Sequence, residues 1–280
     1  MFKDILLAAC MLILSYSYSS SQSIDEIDKR GIVRIETPDG KLGTGFTLSD
    51  SVLGFFLVTN KHVIKSPKTG AYYDSVFVRT NMLDSGKVVA TERKNTLYLY
   101  FKGHQLFREH KDSNIDLVVI QLGHVKVADS VILNPSNFEW LYGLKMRTVA
   151  DRGDLDSLQI RDGSFVQIVG FSFQAPQKPQ FHISRFGHLA LFSYKKIALY
   201  FQVPSGDSTI QERSVAEWLV IDIVSRGGDS GGPVFAFHPK NKTTWIIGIV
   251  KGSSELNEYC FAHPSYHIWE LVRSIADDIR

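Results

Sequence analysis

Apolar residues along this chain fall into runs of six to eight positions, rich in β-branched and aromatic side chains and separated by turn-forming residues. After a polar lead-in, SIDEIDKR, the runs are GIVRIET (31–37), GTGFTLS (43–49), FFLVTN (55–60), SVFVRT (75–80) and TLYLYF (96–101). They continue as IDLVVIQL (115–122), SFVQIVGF (164–171), KIALYFQV (196–203), EWLVIDIV (217–224) and TWIIGIV (244–250). No helical period separates them, which predicts an all-β sandwich or barrel rather than alternating β and α units. The C-terminal YHIWELVRSIADDIR is different. It places Ile268, Leu271, Val272, Ile275 and Ile279 at helical spacing, which predicts an amphipathic helix packed on the β structure.

Two stretches break the pattern. Apolar periodicity fades over 135–162, and FQAPQKPQ (173–180) carries two prolines that interrupt strand pairing, so both are expected as surface loops. The organisation expected is one compact unit over 24–280, with β halves of roughly 24–150 and 151–265 and a terminal helix over 266–280.

The first 23 residues have a lysine at position 3, an apolar run from Ile5 to Leu14 and then small polar residues, the layout of an export leader. The run is shorter than the roughly 20 residues a membrane span needs, so no membrane span is expected after leader cleavage. Leu7-Ala8-Ala9-Cys10 resembles a lipidation box, but it sits too early to leave a working leader before it. Export would leave Cys260 without a partner, so the domain must be held by its core. With 31 basic and 29 acidic residues scattered along the chain, nothing points to nucleic acid. The nine histidines show no zinc-like spacing with cysteines or carboxylates, and no metal or other cofactor is expected.

The chemistry concentrates in SRGGDSGGPVFAF (225–237). A serine hydroxyl becomes a useful nucleophile when a base takes its proton and donors stabilise the developing oxyanion. Gly228 and Gly231 clear the approach to Ser230, and the N–H groups of Gly228 and Ser230 are the candidate oxyanion hole. Taken alone, a glycine-rich turn with a serine is far more often structural. The base would be His62, which follows the apolar run FFLVTN, and a surface or capping histidine fits that place too. Asp116, which opens a strongly apolar strand, would orient the base.

His62, Asp116 and Ser230 stand in the order that chymotrypsin uses, whereas subtilisin runs Asp, His, Ser and α/β-hydrolases run Ser, acid, His. With GDSGGP (228–233), TNKHV (59–63) and NIDLVVIQL (114–122), the chain resembles trypsin-like serine proteases of the chymotrypsin fold. Through GTGF (43–46) and GIVRI (31–35) it resembles the exported bacterial HtrA-like branch most. The resemblance implies a double six-stranded β-barrel with the site between the barrels, and hydrolysis of protein or peptide substrates by His62, Asp116 and Ser230. It leaves the oligomeric state open.

Departures from the family pattern carry expectations of their own. A dibasic pair precedes GIVRI, but Gly31 stands where a freed Ile terminus would be needed, so proteolytic activation is not expected. No PDZ module is expected after the helix. By the same resemblance the substrate pocket takes Val224 as its floor and Val250, Lys251 and Gly252 as its wall, with Lys251 in place of a serine. An apolar floor would favour small or medium apolar residues before the scissile bond. Two other readings compete. GDSGG also fits the elbow of α/β-hydrolase esterases, although PVFAF reads as a strand where that elbow needs a helix. A protease fold could also serve as a silent binding module.

Overall fold

The computed structural model describes residues 30–279 apart from 53, 84–89, 128–129, 134–141, 173–181, 206–207, 239–242 and 254–257. The expected leader with Cys10, the expected loop at 173–180 and the first part of the expected loop at 135–162 therefore lie outside the described residues. The first half contains β1 (Ile32–Glu36), β2 (Leu42–Asp50), β3 (Gly54–Thr59), β4 (Ser75–Leu83), β5 (Ala90–Tyr98), β6 (Tyr100–Phe101), β7 (His104–Gln105), β8 (Phe107–Glu109), β9 (Val118–Leu122), β10 (His124–Val127), β11 (Ser130–Leu133) and β12 (Leu144–Lys145). The second contains α1 (Arg152–Ser157), β13 (Phe165–Gly170), β14 (Ile183–Phe192), β15 (Ile197–Ser205), β16 (Ser208–Ala216), β17 (Leu219–Asp222), β18 (Pro233–Phe237), β19 (Thr244–Ser253), β20 (Cys260–Pro264) and α2 (Tyr266–Ile279).

The two halves close to different degrees. Strands β13-β14-β17-β20-β19-β18 form a closed six-stranded barrel, whereas the first sheet runs β5-β4-β1-β2-β3-β9-β8, with β12 beside β2 and no closing ladder among the described residues. The double-barrel expectation thus holds as one closed barrel facing a half-barrel. β15 and β16 pair only with each other, as a hairpin inserted between two barrel strands.

Alternation along the strands fills three apolar clusters. Val33, Ile35, Leu57, Val78 and Ile120 fill the first half, and Ile168, Leu189, Ile221, Val234 and Ile247 the second. A third cluster, with Phe46, Val169, Trp218, Phe235 and Ile268, joins the halves to α2. In α2, Ile268, Leu271, Val272 and Ile275 are buried as their spacing predicts, while the side chain of Ile279 lies outside those described. Trp269 Nε1 donates to Val149 O at 2.8 Å, which fixes the helix axially. Ile268→Ala should cost about 2–5 kcal/mol in chemical denaturation, because the fully buried side chain sits where three elements meet.

The stretch 142–162 is not a surface loop. Leu144, Met146, Val149, Leu155 and Ile160 are all buried beneath it, and Asp151 caps α1 through a reciprocal bond with Asp154. Its inward residues lie at irregular spacing, because a two-residue strand, a 3₁₀ turn and a short helix follow one another. A periodicity scan cannot register such a series. Among the described residues no helix is long and apolar enough to cross a membrane.

Candidate active site

β3 delivers His62. Its residues Phe56, Leu57 and Val58 are fully buried, and the strand breaks into a 3₁₀ turn, Lys61–Ile64, whose Val63 and Ile64 are also buried. Burying both anchors the turn and leaves His62 at its surface, with 43% of the side chain exposed. Asp116 comes from the irregular backbone before β9, between the buried Ile115 and Leu117. Asn60 Nδ2 donates to Asp116 O at 2.6 Å and ties the two segments together. The Asp116 carboxylate then accepts from the His62 backbone N–H through Oδ1 at 3.1 Å and contacts His62 Nδ1 through Oδ2 at 2.5 Å. Both oxygens of the acid thus hold one residue, and the ring's Nε2 has no hydrogen-bond partner among the described residues.

Lys251 is the unexpected member. Its Nζ lies 2.6 Å from the same Oδ2 and 3.9 Å from Glu212 Oε1, with only 6% of its side chain exposed. β19 and β20 pair Val250 with Ala262 and Gly252 with Phe261, so Lys251 is the extra residue of a β-bulge. A bulge re-aims its side chain, and here it turns a lysine from the barrel toward the first half. Burial would discharge Asp116, but Lys251 and His62 more than offset it, and the carboxyl lies well below the usual range. Burial likewise opposes the Lys251 ammonium, yet Asp116 and Glu212 hold its pKa above the ordinary lysine value.

Beneath Asp116 lies His263, fully buried and stacked on Trp218 at 4.4 Å between ring centroids. Its Nε2 accepts the Asp116 N–H at 3.1 Å, and burial pushes its pKa well down, so it stays neutral.

Ser230 opens the segment leading into β18. Its Oγ donates to Lys251 O at 3.1 Å rather than to His62. The loop is clamped by Thr44 of the GTGF motif. Thr44 N donates to Ser230 O at 2.8 Å, and Thr44 Oγ1 donates to Gly228 O at 2.6 Å and accepts from Phe171 N. The approach is close enough that a Cβ on Gly231 would fall 2.0 Å from Thr44 O, and Gly231 also sits at φ +86°. Glycine is required there on both counts. Gly228 has φ +98°, and the N–H groups of Gly228 and Ser230 bond to no acceptor among the described residues.

Asp229 turns inward. Its carboxylate accepts from Ser172 Oγ at 2.7 Å, Arg185 Nη1 at 2.7 Å and Arg226 N at 2.7 Å, and it is 1% exposed. Arg185 also bonds Ser172 Oγ. An internal guanidinium therefore meets this buried charge. Gly31 and Ile32 are meanwhile built into the first sheet: Gly31 O accepts from Thr47 N, and Ile32 pairs with Phe46.

His62, Asp116, Ser230, Lys251 and Gly252 line one cleft of about 650 Å³, with the β15–β16 hairpin contributing Phe201, Ile210 and Glu212. Val250 is buried in the barrel core. Val224 is 49% exposed and does not line the cleft, because β17 ends at Asp222 and the chain has left the barrel by then. Ser225, Arg226 and Gly227 form that wall. An apolar floor at Val224, with the preference drawn from it, therefore has no counterpart in this cleft.

Elsewhere, His110, His267 and Glu270 bring ligand-capable atoms within 4.8 Å of one another. The His267-x-x-Glu270 spacing lies in the sequence, but His110 joins only through folding. His110 Nδ1 accepts the Asp112 N–H at 3.2 Å, so its Nε2 carries the proton that points at Glu270 Oε2, 2.8 Å away. His267 Nδ1 meets the same oxygen at 2.8 Å. The trio acts as a hydrogen-bonded tie between α2 and the first half. Cys260 is fully buried, and burial pushes its thiol up to about 12, which removes it as a nucleophile.

The structure superposes on that of a Glu endopeptidase with a TM-score of 0.51 at 13% identity, over 92% of this chain and 94% of that one. The fold is the chymotrypsin type. Two other solved structures resemble it at a TM-score of 0.49: the active form of the Rv3671c protease from M. tuberculosis, at 18% identity over 89% of this chain and 82% of that one, and the thermostable serine protease AL20 from an extremophilic microorganism, at 14% identity over 89% and 99%. No protein-family model and no curated protein matches the sequence. Within this all-β architecture Ser230 leads into a strand rather than a helix, so the α/β-hydrolase elbow does not apply.

Proposed function

We propose that this chain is an exported serine endopeptidase that cleaves protein or peptide substrates through an acyl-enzyme. The observation that carries the reading is the paired His62 and Asp116 facing, across one cleft, a serine flanked by two unbonded N–H groups. Ser230 Oγ attacks the scissile carbonyl and passes its proton to His62 Nε2, and Asp116 orients the ring and stabilises its charged form. The Gly228 and Ser230 N–H groups receive the oxyanion. His62 then gives the proton to the leaving amine, and water repeats the sequence on the ester. The Ser230 hydroxyl must release Lys251 O to reach His62, an adjustment of the kind substrate binding commonly completes. Export rests on the leader pattern of the first 23 residues.

The test is labelling of the folded protein by a fluorophosphonate, with Ser230→Ala as control. Wild-type protein should take one equivalent of label and the variant none. Folded wild-type protein that takes no label defeats the reading and leaves a protease-fold binding module in its place.

A further inference from the structure

Lys251 touches both ends of the proposed proton path. Its backbone carbonyl accepts from Ser230 Oγ, and its ammonium sits on the Asp116 oxygen that faces His62 Nδ1. The β-bulge that aims it and its near-complete burial make this a built contact rather than a surface pairing. We propose that Lys251 is a positioning residue whose ammonium locks the Asp116 carboxylate toward His62 and extends the working range of the site toward acid. The inference rests on the protease reading above. A carboxylate that faces only an imidazole stabilises the protonated ring in full, whereas one that shares the same oxygen with an ammonium stabilises it less.

Among the described residues, Lys41, Lys65 and Arg226 also line the cleft, and other groups act on the pair more directly. Lys61 lies beside His62 and interacts with Asp116, but its Nζ is engaged by His110 O at 2.7 Å. Glu212 faces Lys251 from the hairpin, His263 is neutral beneath Asp116, and Tyr72 interacts weakly with Asp116 from the first half. Lys251 is the cation in direct contact with the carboxylate. Its charge sets the direction of the effect.

The experiment measures the second-order rate of fluorophosphonate inactivation against pH for wild type, Lys251→Met and Lys251→Ser. Removing the charge should move the acid limb to higher pH by about one unit in both variants. A serine keeps a hydroxyl at this position but not the charge, so a limb displaced in Met and at its wild-type position in Ser overturns the proposal. So does a uniform loss of rate with the limb unmoved, which would mean that Lys251 only packs. Glu212→Gln is the arm that remains if both Lys251 variants fail to fold. Its side chain is 46% exposed, and its removal should move the limb the opposite way, by less; an unmoved limb overturns the proposal. If wild-type protein takes no label at any pH, the protease reading fails first, and that outcome is distinct from a labelled protein with an unshifted limb.

Discussion

Replacing Ser230 or His62 with Ala should lower turnover by on the order of 10⁴- to 10⁶-fold while leaving the melting curve nearly in place. The two effects separate because neither side chain supports the fold. Ser230 contributes one hydrogen bond to a carbonyl, and His62 is 43% exposed. His62→Ala also leaves Asp116 facing Lys251, so no buried charge is stranded. Asp116→Ala would be misleading for that reason, since it would leave a buried ammonium without its main partner. Asp116→Asn keeps an oxygen for the ammonium but strands its charge in the same way, so Ser230→Ala and His62→Ala are the informative variants. Single-turnover kinetics on a labelled protein substrate, with thermal melts in parallel, check the prediction. A large drop in melting temperature for either Ala variant would show that the residue is structural and that its loss of activity says nothing about chemistry.

Most strands of the first half could be read directly, because Val33, Ile35, Leu57 and Ile120 stand in near-continuous apolar runs that are buried on both faces. β14 was not visible as a run. Its sequence ISRFGHLALF mixes glycine, serine, arginine and histidine with apolar residues, and the side chains that break the pattern include Arg185, which is there for Asp229. β20 was missed in the same way: CFAHP buries all five residues, including a histidine whose ring serves Asp116. The triad order was legible since each member lies in a short local motif. What those members touch was not. Lys251 and Asp116 are 135 positions apart, and they meet only because a bulge in one strand fixes the register against another. Register belongs to the pair of strands, so a single run such as TWIIGIV cannot reveal it. Val224 shows the converse failure. Counting six positions back from a serine transfers a pocket floor only if the intervening backbone takes the same path, and here that residue stands at the surface.

Arg185→Leu should destabilise the chain by about 3–5 kcal/mol and abolish fluorophosphonate labelling even where the protein remains folded. Asp229 is 1% exposed, and Arg185 supplies the cation that meets its carboxylate, 2.7 Å away. Taking the cation away leaves a buried carboxylate to Ser172 Oγ, the Arg226 N–H and a long contact from Ser225 Oγ at 3.5 Å, which do not neutralise it. The carboxylate must then protonate or turn outward to water, and turning outward drags with it the peptides on either side, Gly228 and Ser230, whose N–H groups form the proposed oxyanion site. Activity is thus expected to fall further than stability alone dictates. Arg185→Lys should recover part of both, since an ammonium can reach one oxygen but cannot span Asp229 and Ser172 as the guanidinium does. A Leu variant that melts and labels like wild type would mean that the loop is held by its backbone bonds to Thr44 alone. The same pair bears on activation. Because the cation that meets Asp229 is already part of β14, the protein should label without a cut before Gly31, and a requirement for such a cut would show that Arg185 does not serve in place of a liberated terminus.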